Sequence, residues 1–261
     1  MVLAGQYLER SVVVRSGELS LDALYHRGAR APPCLLASPH PALGGSMTAP
    51  VIAELAWALT RAGHATLRFD YRGVGASQGK SRHAAGSLEA VDAPGSEKRL
   101  SAADLSEEVL DLFAAADQLR LGQPFCAVGY SFGAAVVLAA ADDPRVEKVI
   151  LIAPPTALAD FSRLPTLDKP LLVVCAHHDR LTDRAWLHER LPPGTALEVV
   201  PHSDHSFRRG LTELGKICAA WLGGGAADPA APGPPAREDD ASFRELTLDP
   251  GDGEPLELDT E

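Results

Sequence analysis

The segment Gly129-Tyr130-Ser131-Phe132-Gly133 reads G-x-S-x-G, with an apolar run before it, 124–128, and an alanine-rich run after it. A strand that must become a helix at one residue is strained there, and glycines two positions to either side remove the Cβ atoms that would collide. Ser131 is then left standing out of the carboxyl end of a strand. The N-terminus of the following helix lies beneath it and favours an anion. A hydroxyl so placed can attack a carbonyl carbon, provided that a base takes its proton and a third group orients the base.

Two downstream residues fit those roles. Asp179 follows the apolar run 171–176 by a short loop, and His205 follows the run 197–200 in the same way. Parallel strands put their carboxyl ends on one edge, so Ser131, Asp179 and His205 are expected to meet there although dozens of residues separate them. His202 competes with His205, and Asp183 and Asp204 compete with Asp179. His205 is preferred because Phe207 is available to pack and fix it, whereas His202 is expected at the rim. Asp183 is better placed to cap the helix that it opens. An oxyanion needs two donors. The amide of Phe132, next to the nucleophile, supplies one. The loop Ser38-Pro39-His40-Pro41-Ala42-Leu43-Gly44-Gly45 supplies the other, with Ala42 the expected donor, Leu43 the fallback, and Pro41 without an N–H to give. His40 is read as an imidazole that pins this loop, and His40, Leu43 and Tyr130 are expected to line the substrate site.

The elements that must hold these residues follow from the hydrophobic spacing. Strands are expected over 11–15, 19–26, 33–38, 65–69, 125–129, 146–153, 171–176 and 197–200. Helices are expected over 49–62, 102–119, 132–141, 183–191 and 206–222. Strands alternating with helices imply an α/β domain, residues 1–222, whose mostly parallel sheet is covered on both faces. Two stretches break the alternation. Residues 79–101 are small and charged without periodicity, an irregular insertion or flap. The connection 153–169 is too short for a cap domain, so a shallow pocket is expected.

From residue 223 to 261 the chain is rich in glycine and proline and then in carboxylates, with eleven acidic residues against two arginines, and disorder is expected. That tail carries −9 of the chain's net −11, leaving the body near −2 with no basic face for nucleic acid. No secretory leader or membrane-spanning run is read, so a cytoplasmic protein is expected. Cys34, Cys126, Cys175 and Cys218 show no C-x-x-C spacing and are read as buried thiols. His177, His178, Asp179, His202, Asp204 and His205 cluster at two strand ends, but they contain no short-range chelate. No metal or organic cofactor is expected.

The stretch Arg68-Phe69-Asp70-Tyr71-Arg72-Gly73-Val74-Gly75-Ala76-Ser77 is similar to the Asp-x-Arg-Gly-x-Gly-x-Ser turn after the fourth strand of many α/β-hydrolases. The stretch 39–45 is similar to a group of small, capless bacterial hydrolases related to dienelactone hydrolases and acyl peptidases. Together with the elbow at 129–133 and the element order from about 11 to 222, these make the chain resemble a member of the α/β-hydrolase superfamily, with about eight strands and no cap. The resemblance implies the catalytic roles of Ser131, Asp179 and His205 but gives no substrate, since one site plan serves esters, thioesters, amides and lactones; a small carboxylic ester or related acyl substrate is the expectation. Asp70 and Arg72 are read as holding their turn together. A binding module that keeps the hydrolase shape, with the acidic tail engaging a partner, is the alternative.

Overall fold

Short apolar segments can be buried only if their backbone groups pair with one another, and eight of them here do so side by side. The computed structural model describes residues 8–83, 99–119 and 123–223. The strands are β1 (Glu9–Ser16), β2 (Leu19–His26), β3 (Arg30–Ala37), β4 (His64–Phe69), β5 (Phe125–Tyr130), β6 (Val146–Ile152), β7 (Leu171–Ala176) and β8 (Ala196–Val200). The helices are α1 (Pro50–Arg61), α2 (Ser106–Leu119), α3 (Phe132–Ala140), α4 (Arg184–Arg190) and α5 (Leu211–Gly223). The sheet order is β1-β2-β4-β3-β5-β6-β7-β8. Strand β2 runs antiparallel to β1 and β4, and the other pairings are parallel. This is the fold class that the alternation of strands and helices implies.

Side chains alternate along the central strands, so each face of the sheet feeds a different core. Leu35, Ala127, Val149, Leu151 and Val173 pack with α2 and α3. Leu36, Val128, Ile150, Leu172 and Val174 pack with α1 and α5. Strands β4, β5 and β7 are buried along their whole length, as expected of strands covered on both sides. Helix α3 is apolar all round because it lies deep in the core, with eight of its nine residues buried. The four cysteines are buried free thiols. No helix of the described residues is long and apolar enough to cross a membrane.

Two helices begin later than their hydrophobic pattern suggests. Residues 102–105 form turns, and the amide and hydroxyl of Ser101 both bond the Asp104 carboxylate just before α2. Helix α5 starts at Leu211 and not at 206, because Phe207 (φ 52°) and Gly210 (φ 101°) take left-handed conformations that a right-handed helix cannot contain. The Asp70 turn also differs in part from expectation. Asp70 accepts the Met47 amide at 2.6 Å, but the Arg72 guanidinium reaches out of the turn to Asp111 on α2, at 2.7 and 3.0 Å. That pair ties the turn to a helix.

Residues 84–98 of the expected flap and the acidic tail beyond Gly223 lie outside the described residues. At the described end of the flap, Leu100 pairs with Ala159 in the connection after β6. The Leu100 amide donates to the Leu158 carbonyl and the Asp160 amide donates to the Leu100 carbonyl, both at 2.9 Å. Among the described residues 153–169 there is no cap domain, yet this clasp walls a cavity of about 650 Å³ in front of Ser131.

Candidate active site

Ser131 lies between the last residue of β5 and the first of α3, with φ 55°. A non-glycine residue rarely adopts that region, and the surroundings must enforce it. They do so by close approach. A Cβ on Gly129 would stand 2.2 Å from the Gly133 carbonyl oxygen, and one on Gly133 would stand 2.2 Å from that of Ala37. The Ser131 amide donates to Ile152 in β6 at 2.9 Å, which fixes the turn to the neighbouring strand.

His205 sits in the loop between β8 and α5. His202 (φ 55°), Phe207 and Gly210 all turn left-handed there, and the Ser203 hydroxyl donates to the Arg209 carbonyl. The Phe207 ring is fully buried and its amide donates to the Asp204 carbonyl at 2.9 Å, so the loop is anchored by an apolar side chain on the far side of the imidazole. The His205 Nε2 is 2.9 Å from Ser131 Oγ, and its Nδ1 is 2.8 Å from Asp179 Oδ2. Asp179 is fully enclosed. Its Oδ1 accepts the Leu181 amide at 2.8 Å, and the Thr182 hydroxyl lies 2.9 Å from both Oδ2 and the Pro154 carbonyl oxygen. Burial by itself would raise this carboxyl. The bond and charge of His205, with the Leu181 amide and the Thr182 hydroxyl, outweigh burial and hold it below the usual carboxylate range. A carboxylate thus receives Nδ1–H and leaves Nε2 free to accept, which is the tautomer a base beside a hydroxyl requires.

The rival residues fall elsewhere. His202 is exposed, Asp183 caps α4 by accepting the Trp186 amide at 3.0 Å, and Asp204 lies 3.6 Å from Arg208. His177 and His178 lie ring against ring on the surface. Among the described residues no group of three His, Cys, Asp or Glu side chains is placed to hold a metal ion.

Phe132 opens α3, so its amide has no acceptor in the helix's own ladder. The second expected donor requires a correction. The Ala42 amide points at His40 Nδ1, 3.2 Å away, and the fallback Leu43 amide is bonded to the His40 carbonyl at 3.1 Å. The amides of Gly44 and Gly45 are likewise used within the loop, and Pro39 and Pro41 have none. Among the described residues of 39–45, the amide without a partner is that of His40, which lines the cavity beside Ser131 and Phe132. The His40 ring caps the short turn 41–43 and packs edge-on to Phe132, centroids 4.8 Å apart. Burial, reinforced by nearby His83, pushes its pKa down to about 4, so this imidazole is neutral at neutral pH and can keep accepting from Ala42. His83 packs against the same Phe132 ring, and no pattern in the sequence had drawn attention to it.

Leu43, 67% exposed, stands at the cavity mouth. Tyr130 also lines the cavity, but its phenol is committed. The Oη donates to the His205 carbonyl at 3.0 Å and its ring lies 5.8 Å from the imidazole. Burial, followed by the Asp179 charge, pushes this phenol up to about 12, so it stays a donor throughout the working range. Tyr130→Phe removes that bond and a bond with the hydroxyl of Ser206, an exposed residue that can turn to water instead. A drop in kcat of roughly three- to tenfold with unchanged KM is expected, the order of one neutral hydrogen bond of about 1 kcal/mol. Steady-state kinetics on a soluble ester checks this, and an altered KM at constant kcat would show that Tyr130 contacts substrate.

Comparison with known proteins finds the same fold in hydrolases of this type. Residues 43–167 match the Hydrolase_4 family, described as serine aminopeptidase, S33. A crystal structure from Agrobacterium tumefaciens, of a protein of unknown function and candidate alpha/beta hydrolase, is 25% identical with a TM-score of 0.67, covering 82% of this chain and 95% of that one. An alpha-beta serine hydrolase homologue from Coxiella burnetii is 24% identical with a TM-score of 0.65, over 84% and 98% of the two chains. An alpha/beta serine hydrolase without a lid from Xanthomonas campestris is 24% identical with a TM-score of 0.62, over 85% and 95%.

Proposed function

We propose that the chain is a hydrolase of the α/β-hydrolase type and that it cleaves a carboxylic ester or related acyl substrate through a covalent acyl-enzyme. The observation that carries the reading is the continuous path from Ser131 Oγ to His205 Nε2 and from His205 Nδ1 to Asp179, at 2.9 and 2.8 Å. Both distances lie within proton-transfer reach without rearrangement. His205 takes the Ser131 proton as Oγ bonds to the substrate carbonyl carbon. The resulting oxyanion is held by the amides of Phe132 and, in place of Ala42, of His40. The imidazolium then protonates the leaving alcohol or amine, the carbonyl reforms, and the acyl group stays on Ser131. Water, deprotonated by the same imidazole, attacks the acyl carbon. The acid departs and Oγ recovers its proton. Asp179 keeps its negative charge throughout and stabilises the imidazolium.

Residues 1–222 act as the catalytic domain in this reading, and the tail is dispensable for chemistry. A fluorophosphonate probe tests it directly. Only an activated serine is phosphonylated quickly, so mass spectrometry should find one adduct, on Ser131. A folded chain that stays unlabelled would refute the serine mechanism and favour a binding module.

A further inference from the structure

The cavity in front of Ser131 has a chemistry of its own. Its large aliphatic side chains are Leu43, Val51, Leu100, Leu158, Leu181 and Leu211, drawn from separate segments of the chain. Leu100 and Leu158 are locked in place by the backbone bonds of the clasp, so this part of the lining is formed before any ligand arrives. The polar groups there are few. Ser131 and His205 form the reacting centre, the Tyr130 phenol is bonded to His205, His40 is neutral, and Ser206 adds an uncharged hydroxyl. The one charged side chain among the described lining residues is Arg208, 82% exposed and 3.6 Å from Asp204.

Such a lining discriminates by charge. A peptide with a free amino terminus carries its ammonium one carbon from the carbonyl under attack. Here it would shed water against leucine side chains with no carboxylate among the described lining residues to pair with, and an unpaired charge in such surroundings is strongly disfavoured. A hydrocarbon chain or aryl group fits the same space favourably, gaining about fourfold in affinity for each methylene buried. The volume of about 650 Å³ far exceeds what an acetyl group occupies.

We propose that the cavity selects an uncharged, apolar group of medium chain length or an aryl group, so that the substrates are apolar esters and not peptides with a free amino terminus. This rests on the serine-hydrolase reading above. The apolar group can lie on the acyl or on the alcohol side of the bond, and the test separates the two.

The full chain is assayed with p-nitrophenyl acetate, butyrate, octanoate and 3-phenylpropionate, with ethyl and hexyl acetate, and with leucine p-nitroanilide. In one of the two ester series kcat/KM should rise on the order of tenfold or more from the shortest to the longer member. The anilide should trail far behind. Leu158→Trp fills part of the cavity and should lower the ratio of octanoate to acetate turnover, or of hexyl to ethyl acetate turnover, by at least about threefold. Leu43→Ser, at an exposed position that tolerates change, should lower the same ratio. Fluorophosphonate labelling is run in parallel. Labelled Ser131 with the smallest esters preferred in both series, or with the anilide preferred, overturns this inference and leaves the serine mechanism standing. Absence of both labelling and ester turnover overturns the mechanism and this inference with it.

Discussion

Ser131→Ala should lower kcat by about 10⁶-fold, to what substrate binding and the oxyanion donors supply without a nucleophile. The Oγ forms the bond that divides one difficult hydrolysis into two easier steps, and among the described residues no other hydroxyl is held against His205 Nε2. The fold should survive. Ser131 is buried and, among the described residues, its side chain bonds His205 alone, so alanine leaves no cavity larger than an oxygen atom. The backbone constraint at φ 55° is the same for both residues, since each carries a Cβ. The checks are single-turnover and steady-state rates on a p-nitrophenyl ester, with circular dichroism to confirm folding and the fluorophosphonate adduct as a second readout. Turnover within about tenfold of the parent would sink the assignment of Ser131 as nucleophile.

Asp179→Asn comes next, with an expected loss of about 10⁴-fold in kcat. The substitution is isosteric. Its Oδ1 can still accept the Leu181 amide, and the Thr182 hydroxyl can give its hydrogen to the Pro154 carbonyl. What changes is the atom facing His205 Nδ1. An amide nitrogen there donates, so the imidazole must accept at Nδ1 and carry its proton on Nε2, where it can no longer take one from Ser131. A loss smaller than about tenfold would place the orienting role elsewhere. The same carboxylate contributes to acid sensitivity. Its folded pKa is depressed, so the stability it supplies is fully present above the unfolded value of about 3.9 and is lost as pH falls through the folded one. The Asn variant should therefore show a shallower loss of stability below about pH 4, read from thermal melts across that range.

Much of this site is legible in the one-dimensional chain, because the physics involved is local. The elbow needs Gly129 and Gly133 for reasons of contact within a few residues, and both are visible as letters. The alternation of buried strands and helices is visible too, and a parallel sheet places every strand's carboxyl end on one edge, so Asp179 and His205 can be identified from the strands they follow. The limits appear where distant segments compete for the same atoms. The apolar spacing of 206–222 extends a helix through Phe207, but in the fold that ring is pulled into the core beside Tyr130 and the chain must turn left-handed to deliver it.

The oxyanion loop and the cavity make the same point. Which amide of residues 39–45 stays free depends on where the His40 ring turns, and its burial among Phe132 and His83 decides that. One wall of the cavity depends on a pairing between Leu100 and Ala159, far apart in the chain and without any pattern of their own. The amino-acid sequence alone therefore determined the fold class and the three candidate catalytic side chains, since turn sterics and strand burial act over short distances. Only the tertiary structure decided which amide of residues 39–45 is left without a partner and how much space faces Ser131, because both depend on hydrogen bonds and contacts that form only on folding.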